Sequence, residues 1–142
     1  MIYLLKYTIG NVGLATPIEE IREIVRPKNI NEAAKPAKYV LGFFDLRDEK
    51  VMLYDLPEFL GIKSSDGFEV IISNVEQRNI GFKVTKVFGI IGVEELLSFP
   101  DIVRAKDYFK GVVRDNSSFL QVLSFYKILS GSRFTAIKKL IQ

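Results

Sequence analysis

The 142-residue sequence contains no histidine and no cysteine. Without imidazole or thiol there is no histidine general base, no thiol nucleophile, no Cys/His zinc site, no iron–sulfur ligation and no disulfide. Long hydrophobic runs are also missing: nothing approaches the ~18 apolar residues of a membrane span. Met1 to Lys6 has no basic n-region, no long h-region and no small-residue cleavage site, so the chain reads as cytoplasmic, with no direct membrane insertion. Nor is there an excess of one charge. Twenty Lys and Arg stand against 17 Asp and Glu, and the net +3 is spread through mixed-sign segments. That field is too weak to imply nucleic acid or an anionic membrane by itself. What is present is apolar mass: 48% hydrophobic residues, with 11 Phe and 6 Tyr. A chain of this length and composition folds and buries roughly 70% of its extended surface, which excludes intrinsic disorder and favours one domain.

Tyr3, Leu5, Tyr7 and Ile9 alternate with Leu4, Lys6 and Thr8 ahead of Gly10-Asn11-Val12-Gly13, the pattern of a strand opening a hairpin. Thr16-Pro17-Ile18-Glu19 has the form of a capping box with proline in the first turn, and predicts an amphipathic helix running to Pro27. Tyr39 to Leu46 and Val51 to Tyr54 predict a second hairpin across Arg47-Asp48-Glu49-Lys50. Asp55 is placed to cap a one-turn helix, Leu56 to Leu60, ended by Gly61. Ser64-Ser65-Asp66-Gly67 divides the chain, and the second half repeats the style of the first. Strands are expected over Phe68 to Val75 and Ile80 to Thr85, the latter continued in the same sheet by Val87 to Ile91. A short helix is expected over Gly92 to Leu97, ended by Pro100. The hairpin Phe109 to Arg114 and Phe119 to Leu123 and a last helix with Phe134, Ile137, Leu140 and Ile141 inward and Lys138 and Lys139 outward complete the reading. Short, closely spaced strands with a midpoint break at 61–67 suggest two small β-barrels or a sandwich, packed as one unit over 1–142.

Carboxylates are the only obvious acid–base candidates. Glu19 and Glu23, one turn apart on the expected helix, could pair on a metal, but with Glu20 they read more simply as a solvated face and a capping residue. Asp45-Leu46-Arg47-Asp48-Glu49 lacks the acidic-glycine pattern of a cation loop. Ser64, Ser65, Ser117 and Ser118 have no activating partner and read as turn residues. No metal, no cofactor and no enzyme activity is expected. Most aromatics fall on inward positions of strands, which favours core packing over the exposed platform of a small nucleic-acid-binding barrel, the competing reading. The residues therefore point to a β-rich binding module.

Gly42-Phe43-Phe44-Asp45-Leu46-Arg47-Asp48-Glu49-Lys50-Val51-Met52-Leu53-Tyr54-Asp55-Leu56 resembles, without a gap, the central GVINLRGxxxPVVDL signature of the CheW-like domains of bacterial chemotaxis. Pro17 to Arg26 resembles the family's PIxxVxEIIR helix, Gly81 to Val87 its GxxVDxV strand, Tyr108 to Val112 its YxxGV element and Leu120 to Leu129 its closing LxxLDxxKLL. The resemblance implies two five-stranded SH3-like barrels sharing a core, and an adaptor that joins chemoreceptor cytoplasmic tips to the homologous regulatory domain of a histidine kinase. A surface-motility or pilus adaptor and self-association are the variants. Carried over by position, Glu23 and Arg47 belong at or beside the receptor-binding groove, with Ile21 and Gly42 on the same surface, and Glu23 and Arg47 are expected to be coupled. Asp45, Asp48, Met52, Thr85 and Ser124 depart from the family pattern. Asp48 in place of the signature glycine predicts a shifted turn or a left-handed aspartate.

Overall fold

A computed structural model describes residues 1–32, 37–64, 67–98, 106–138 and Leu140. Among the described residues the strands are β1 (Ile2–Ile9), β2 (Val12–Pro17), β3 (Glu23–Val25), β4 (Val40–Leu46), β5 (Glu49–Tyr54), β6 (Glu69–Val75), β7 (Arg78–Val84), β8 (Lys86–Val93), β9 (Phe109–Asp115) and β10 (Ser118–Leu123). The helices are α1 (Leu56–Leu60), α2 (Phe125–Ile128) and α3 (Gly131–Lys138), with a 3-10 turn at Ile18–Glu20. No helix among the described residues is long and apolar enough to cross a membrane.

The strands form two five-stranded sheets, ordered β8-β1-β2-β10-β9 and β3-β6-β7-β5-β4. The chain is an internal structural repeat. In the first half, Ile9 pairs with Val12 across a two-residue turn; in the second, Val75 pairs with Arg78 in the same way. The β4–β5 ladder, with a bulge that skips Leu41, recurs residue for residue in β9–β10 with a bulge that skips Lys110. The parallel contact of β2 with β10 corresponds to that of β7 with β5. The last three strands of each half are exchanged: β3, β4 and β5 join the sheet of β6 and β7, and β8, β9 and β10 that of β1 and β2, so that β3 follows β2 but pairs with β6, and β8 follows β7 but pairs with β1. The stretch 61–67 therefore separates the repeats but not the sheets. Each sheet takes two strands from one repeat and three from the other. Val87 to Ile91 accordingly leaves the sheet of Phe68 to Thr85 and joins β1, against expectation.

The two sheets are the two five-stranded SH3-like barrels expected, though the strand ladders do not close them: one isolated bridge draws the edges of each together. After β3 the chain reaches Asn31, which exchanges backbone hydrogen bonds of 2.8 and 2.7 Å with Phe43 on β4. After β8 it reaches Leu97, which exchanges two of 2.8 Å with Val112 on β9. Each bridge passes over a glycine. A Cβ on Gly42 would lie 2.1 Å from the Asn31 carbonyl oxygen, and one on Gly111 2.7 Å from that of Leu97. Leu97 being a bridge partner, with Gly92 and Val93 in β8, there is no helix over Gly92 to Leu97; Pro100 lies outside the described residues.

Among the described residues there are three apolar clusters. One belongs to the first sheet (Leu4, Ala15, Val113, Leu120, Val122), one to the second (Phe44, Val51, Leu53, Val70, Ile72), and the largest lies between them. Its spine is aromatic: Tyr7 of the first sheet meets Phe125 of α2 at 6.0 Å, Phe125 stacks on Phe82 at 4.2 Å, and Phe82 meets Tyr54 at 5.7 Å. Because the first sheet is covered on both sides, β1 buries Leu4 as well as Leu5, Tyr7 and Ile9, while Tyr3 is exposed. The hydroxyl of Thr16 bonds the Tyr7 phenol at 2.8 Å. Phe82 occupies the Thr16 position of the second repeat, and Ser73, at the Tyr7 position, has a buried hydroxyl without a partner.

The helix expected from Thr16 to Arg26 does not form. β2 runs through Pro17, the 3-10 turn has no side-chain cap, and Thr16, the expected cap, is already bonded to Tyr7. Asp55 does cap α1, accepting from the Glu58 amide at 3.4 Å. In α3, Phe134 and Ile137 are buried as expected, but Lys138 lies over the Phe134 ring at 5.7 Å. Lys139 and Ile141 lie outside the described residues, as do Ser65 and Asp66.

Candidate functional site

Glu23 begins β3 and Arg47 occupies the β4–β5 turn, at the two edges of the second sheet. Leu46 pairs with Glu49, so the turn is the two residues Arg47 and Asp48. Arg47, and not Asp48, takes the left-handed backbone (φ 55), as Asn116 does at the corresponding turn of β9–β10 (φ 58). Asp48, which stands where the signature has glycine, therefore needs no left-handed backbone. From this turn the guanidinium reaches back to the opposite edge. Arg47 Nη2 bonds Glu23 Oε1, and Nη1 donates to Oε2 at 3.4 Å. The two residues thus form the expected pair. Arg47 holds the Glu23 carboxyl below the usual carboxylate range, first through this hydrogen bond and then through its charge, with Arg22 adding to the effect. The Arg47 side chain is 70% exposed and that of Glu23 30%, so the pair adds little to stability. Its geometric effect is to hold a planar, bidentate charge pair across the sheet edges.

Beside the pair runs an open groove of about 340 Å³ between the segment leaving β3 and strand β4, lined by Arg26, Lys28, Asn31, Phe44, Asp45 and their neighbours. Arg26 is tied to Glu69 at 2.9 Å. Ile21 lies next to this surface in the chain, but its side chain packs against the shared core. Gly42 is buried under the Asn31 bridge and offers no surface. Of the four residues expected at the site, the structure brings Glu23 and Arg47 together and gives Ile21 and Gly42 supporting positions.

Glu19 and Glu23 are not one helical turn apart, since the 3-10 turn ends between them, so the spacing that a metal pair would need is absent. Glu20 is not on a solvated face. It is 7% exposed and accepts from Ser124 Oγ at 2.8 Å and the Tyr126 amide at 3.1 Å. The family's aspartate at position 124 is serine here, and Glu20 supplies a carboxylate to the same helix start. Burial raises the Glu20 carboxyl above its ordinary value, opposed by these hydrogen bonds and by Lys110.

Sequence reasoning missed the exposed apolar positions of the exchanged strands. Ile24 on β3 and Ile90 on β8 are equivalent in the repeat and are 41% and 61% exposed. Phe88 and Tyr3 extend the apolar surface of β8 and β1, with Lys86 and Lys6 at 5.1 and 5.4 Å from the Phe88 ring. The signal was available: Phe88 and Ile90, with Gly89 between them, fall on one face of a strand that is the edge of its sheet.

The model for the CheW-like domain matches residues 4–133. The chemotaxis protein CheW of Treponema pallidum (strain Nichols) is 25% identical, with 96% of this chain and 87% of that protein covered. That of Thermotoga maritima is 24% identical over 89% and 86%. The crystal structure of the scaffolding protein TtCheW from Thermoanaerobacter tengcongensis superposes with a TM-score of 0.80 at 15% identity, covering 92% of this chain and 94% of that one, a likeness of fold. With a family model spanning nearly all of both repeats, the chain belongs to the CheW-like domain family.

Proposed function

We propose that this protein is a non-catalytic chemotaxis adaptor that joins the cytoplasmic tip of a chemoreceptor to the regulatory domain of a histidine kinase. The observation that carries the reading is the bidentate Glu23–Arg47 pair, held across the edges of the second sheet by residues that match the family signature by position. A fixed pair of opposite charges beside an open groove suits recognition of a protein surface in one register, where electrostatic complementarity contributes specificity. The apolar edge of β8, with Tyr3, Phe88 and Ile90, is the surface we assign to the second protein contact.

The test is a binding assay with a receptor cytoplasmic fragment. Glu23→Ala and Arg47→Ala each weaken capture, and the double variant loses much less than the sum, because either single change already breaks the pair. Additive losses, or unchanged binding by a folded variant, overturn the assignment. Filter binding of nucleic acid at two salt concentrations separates the barrel-on-nucleic-acid reading, which requires strong, salt-dependent retention. Lys6, on the aromatic surface that reading needs, is committed to an ion pair with Asp115.

A further inference from the structure

Between residues 37–39, the end of β5 and helix α3 lies a cavity of about 230 Å³, lined by Lys38, Tyr39, Tyr54, Ser132, Arg133 and Ile137, among others. Tyr54 is 2% exposed, lines this space and makes no hydrogen bond among the described residues. Among the described residues the side-chain oxygen sealed from solvent without a partner is that of Ser73, not Tyr54, so the Tyr54 hydroxyl opens to this space and is free to donate there. Burial raises the Tyr54 phenol, with Tyr39 and Tyr108 adding and Arg133 opposing, so it is a neutral donor at physiological pH.

Two cations stand at the same cavity. Lys38 Nζ lies 5.1 Å from the centre of the Tyr39 ring. Arg133 lies over Phe59 and Tyr108 at 5.8 Å each. Its Nε donates to the Ile128 carbonyl at 2.6 Å, and its Nη2 to the Lys127 carbonyl and to Asp107, both at 3.0 Å. Nη1 makes no hydrogen bond among the described residues. With Asp107 counted, the charged groups here still sum to a positive charge.

The repeat supplies a control. The corresponding cavity, lined by Ile62, Lys106, Tyr108 and Leu123, has leucine at the Tyr54 position, and Asp107 stands at the Lys38 position. Tyr39 also takes a left-handed backbone (φ 66) that its counterpart Tyr108 does not, a strained state for an aromatic residue. The tyrosine hydroxyl and the left-handed tyrosine are therefore particular to the cavity at Tyr54, while a lysine lines both.

We propose that this cavity binds a small organic carboxylate. Its apolar body lies against Tyr39, Ala136 and Ile137, and its carboxylate accepts from the Tyr54 and Ser132 hydroxyls and faces Lys38 and Arg133. The volume is below the range of roughly 300–1,000 Å³ typical of drug-sized ligands, which suits a single-ring acid. The site is independent of the adaptor role.

The test is an NMR titration of the full chain with benzoate, using benzamide and benzamidine as neutral and cationic controls of the same shape. Benzoate should give saturable shifts at the amides of 37–39 and 131–137, and benzamidine none. Tyr54→Phe, which keeps the ring, should weaken benzoate by about tenfold or more through loss of a charge-assisted hydrogen bond. Lys38→Gln, at the exposed mouth, should weaken it severalfold and serves if Tyr54→Phe does not fold. No saturable shift, equal binding of benzamide or benzamidine, or unchanged benzoate affinity in the folded variants overturns the proposal.

Discussion

Glu20 illustrates how a single side chain can be misplaced by its neighbours and then matter more than they do. Between Glu19 and Glu23 it reads as one more exposed acid, yet it ties the 3-10 turn to the start of α2 through Ser124 and Tyr126. Its carboxyl sits above the ordinary value of 4.5 because it is buried, so the folded chain holds that proton more tightly than the unfolded one. As pH rises above about 4.5, ionisation of Glu20 therefore removes stability until the folded-state group has itself titrated. Glu23, held below 4.5 by Arg47, has the opposite sign: its contribution is present above that value and lost as pH falls. Comparing wild type with Glu20→Gln isolates the first effect. The difference in denaturant midpoint should move in the variant's favour from pH 4.5 towards neutrality, and a difference that stays flat over that interval would show that burial leaves this carboxylate untouched.

At the scale of elements, the two isolated bridges are what draw open sheets towards barrels, and each depends on a glycine beneath it. Gly42→Ala forces a methyl against the Asn31 carbonyl and Gly111→Ala against that of Leu97, with the former the closer approach. Both positions also have positive φ (155 and 148). Strain and overpacking together should lower stability by about 3 kcal/mol for Gly42→Ala and about 2 kcal/mol for Gly111→Ala, read as midpoint shifts at constant m-value. Hairpins of this kind were legible from the sequence, since alternation, turn residues and the Asp55 cap are local signals. The segment 16–26 was not. Ile18, Ile21, Ile24 and Val25 fit a helical face, but Ile18 and Ile21 pack on the shared core from a 3-10 turn while Ile24 points out of an exchanged strand. Which partner a strand takes is a long-range choice that periodicity does not encode, so β3 and β8 were the elements misassigned. The Glu23–Arg47 pair was legible through family position, whereas the roles of Glu20 and Tyr54 required the fold.

For the molecule as a whole, neither repeat can complete a sheet without a strand from the other, and the largest apolar cluster draws on both sheets. Calorimetry should show one transition with equal calorimetric and van't Hoff enthalpies; two resolved transitions would mean that the halves are autonomous. Cutting the chain within 61–67 should leave two fragments that are each unfolded and regain the native spectrum when mixed. The strand exchange has a consequence for how the two surfaces can differ. Two separate copies of one such half, trading their last three strands, would have to carry the same residues at both sites and would find each other only at sufficient concentration. Joined in one chain, the exchange becomes intramolecular and proceeds at a fixed effective concentration. The equivalent positions are then free to diverge: where one half places Glu23 and Arg47, the other has Gly89 and Asn116. A symmetric assembly is thereby turned into a two-faced one, able to present different chemistry to two different neighbours.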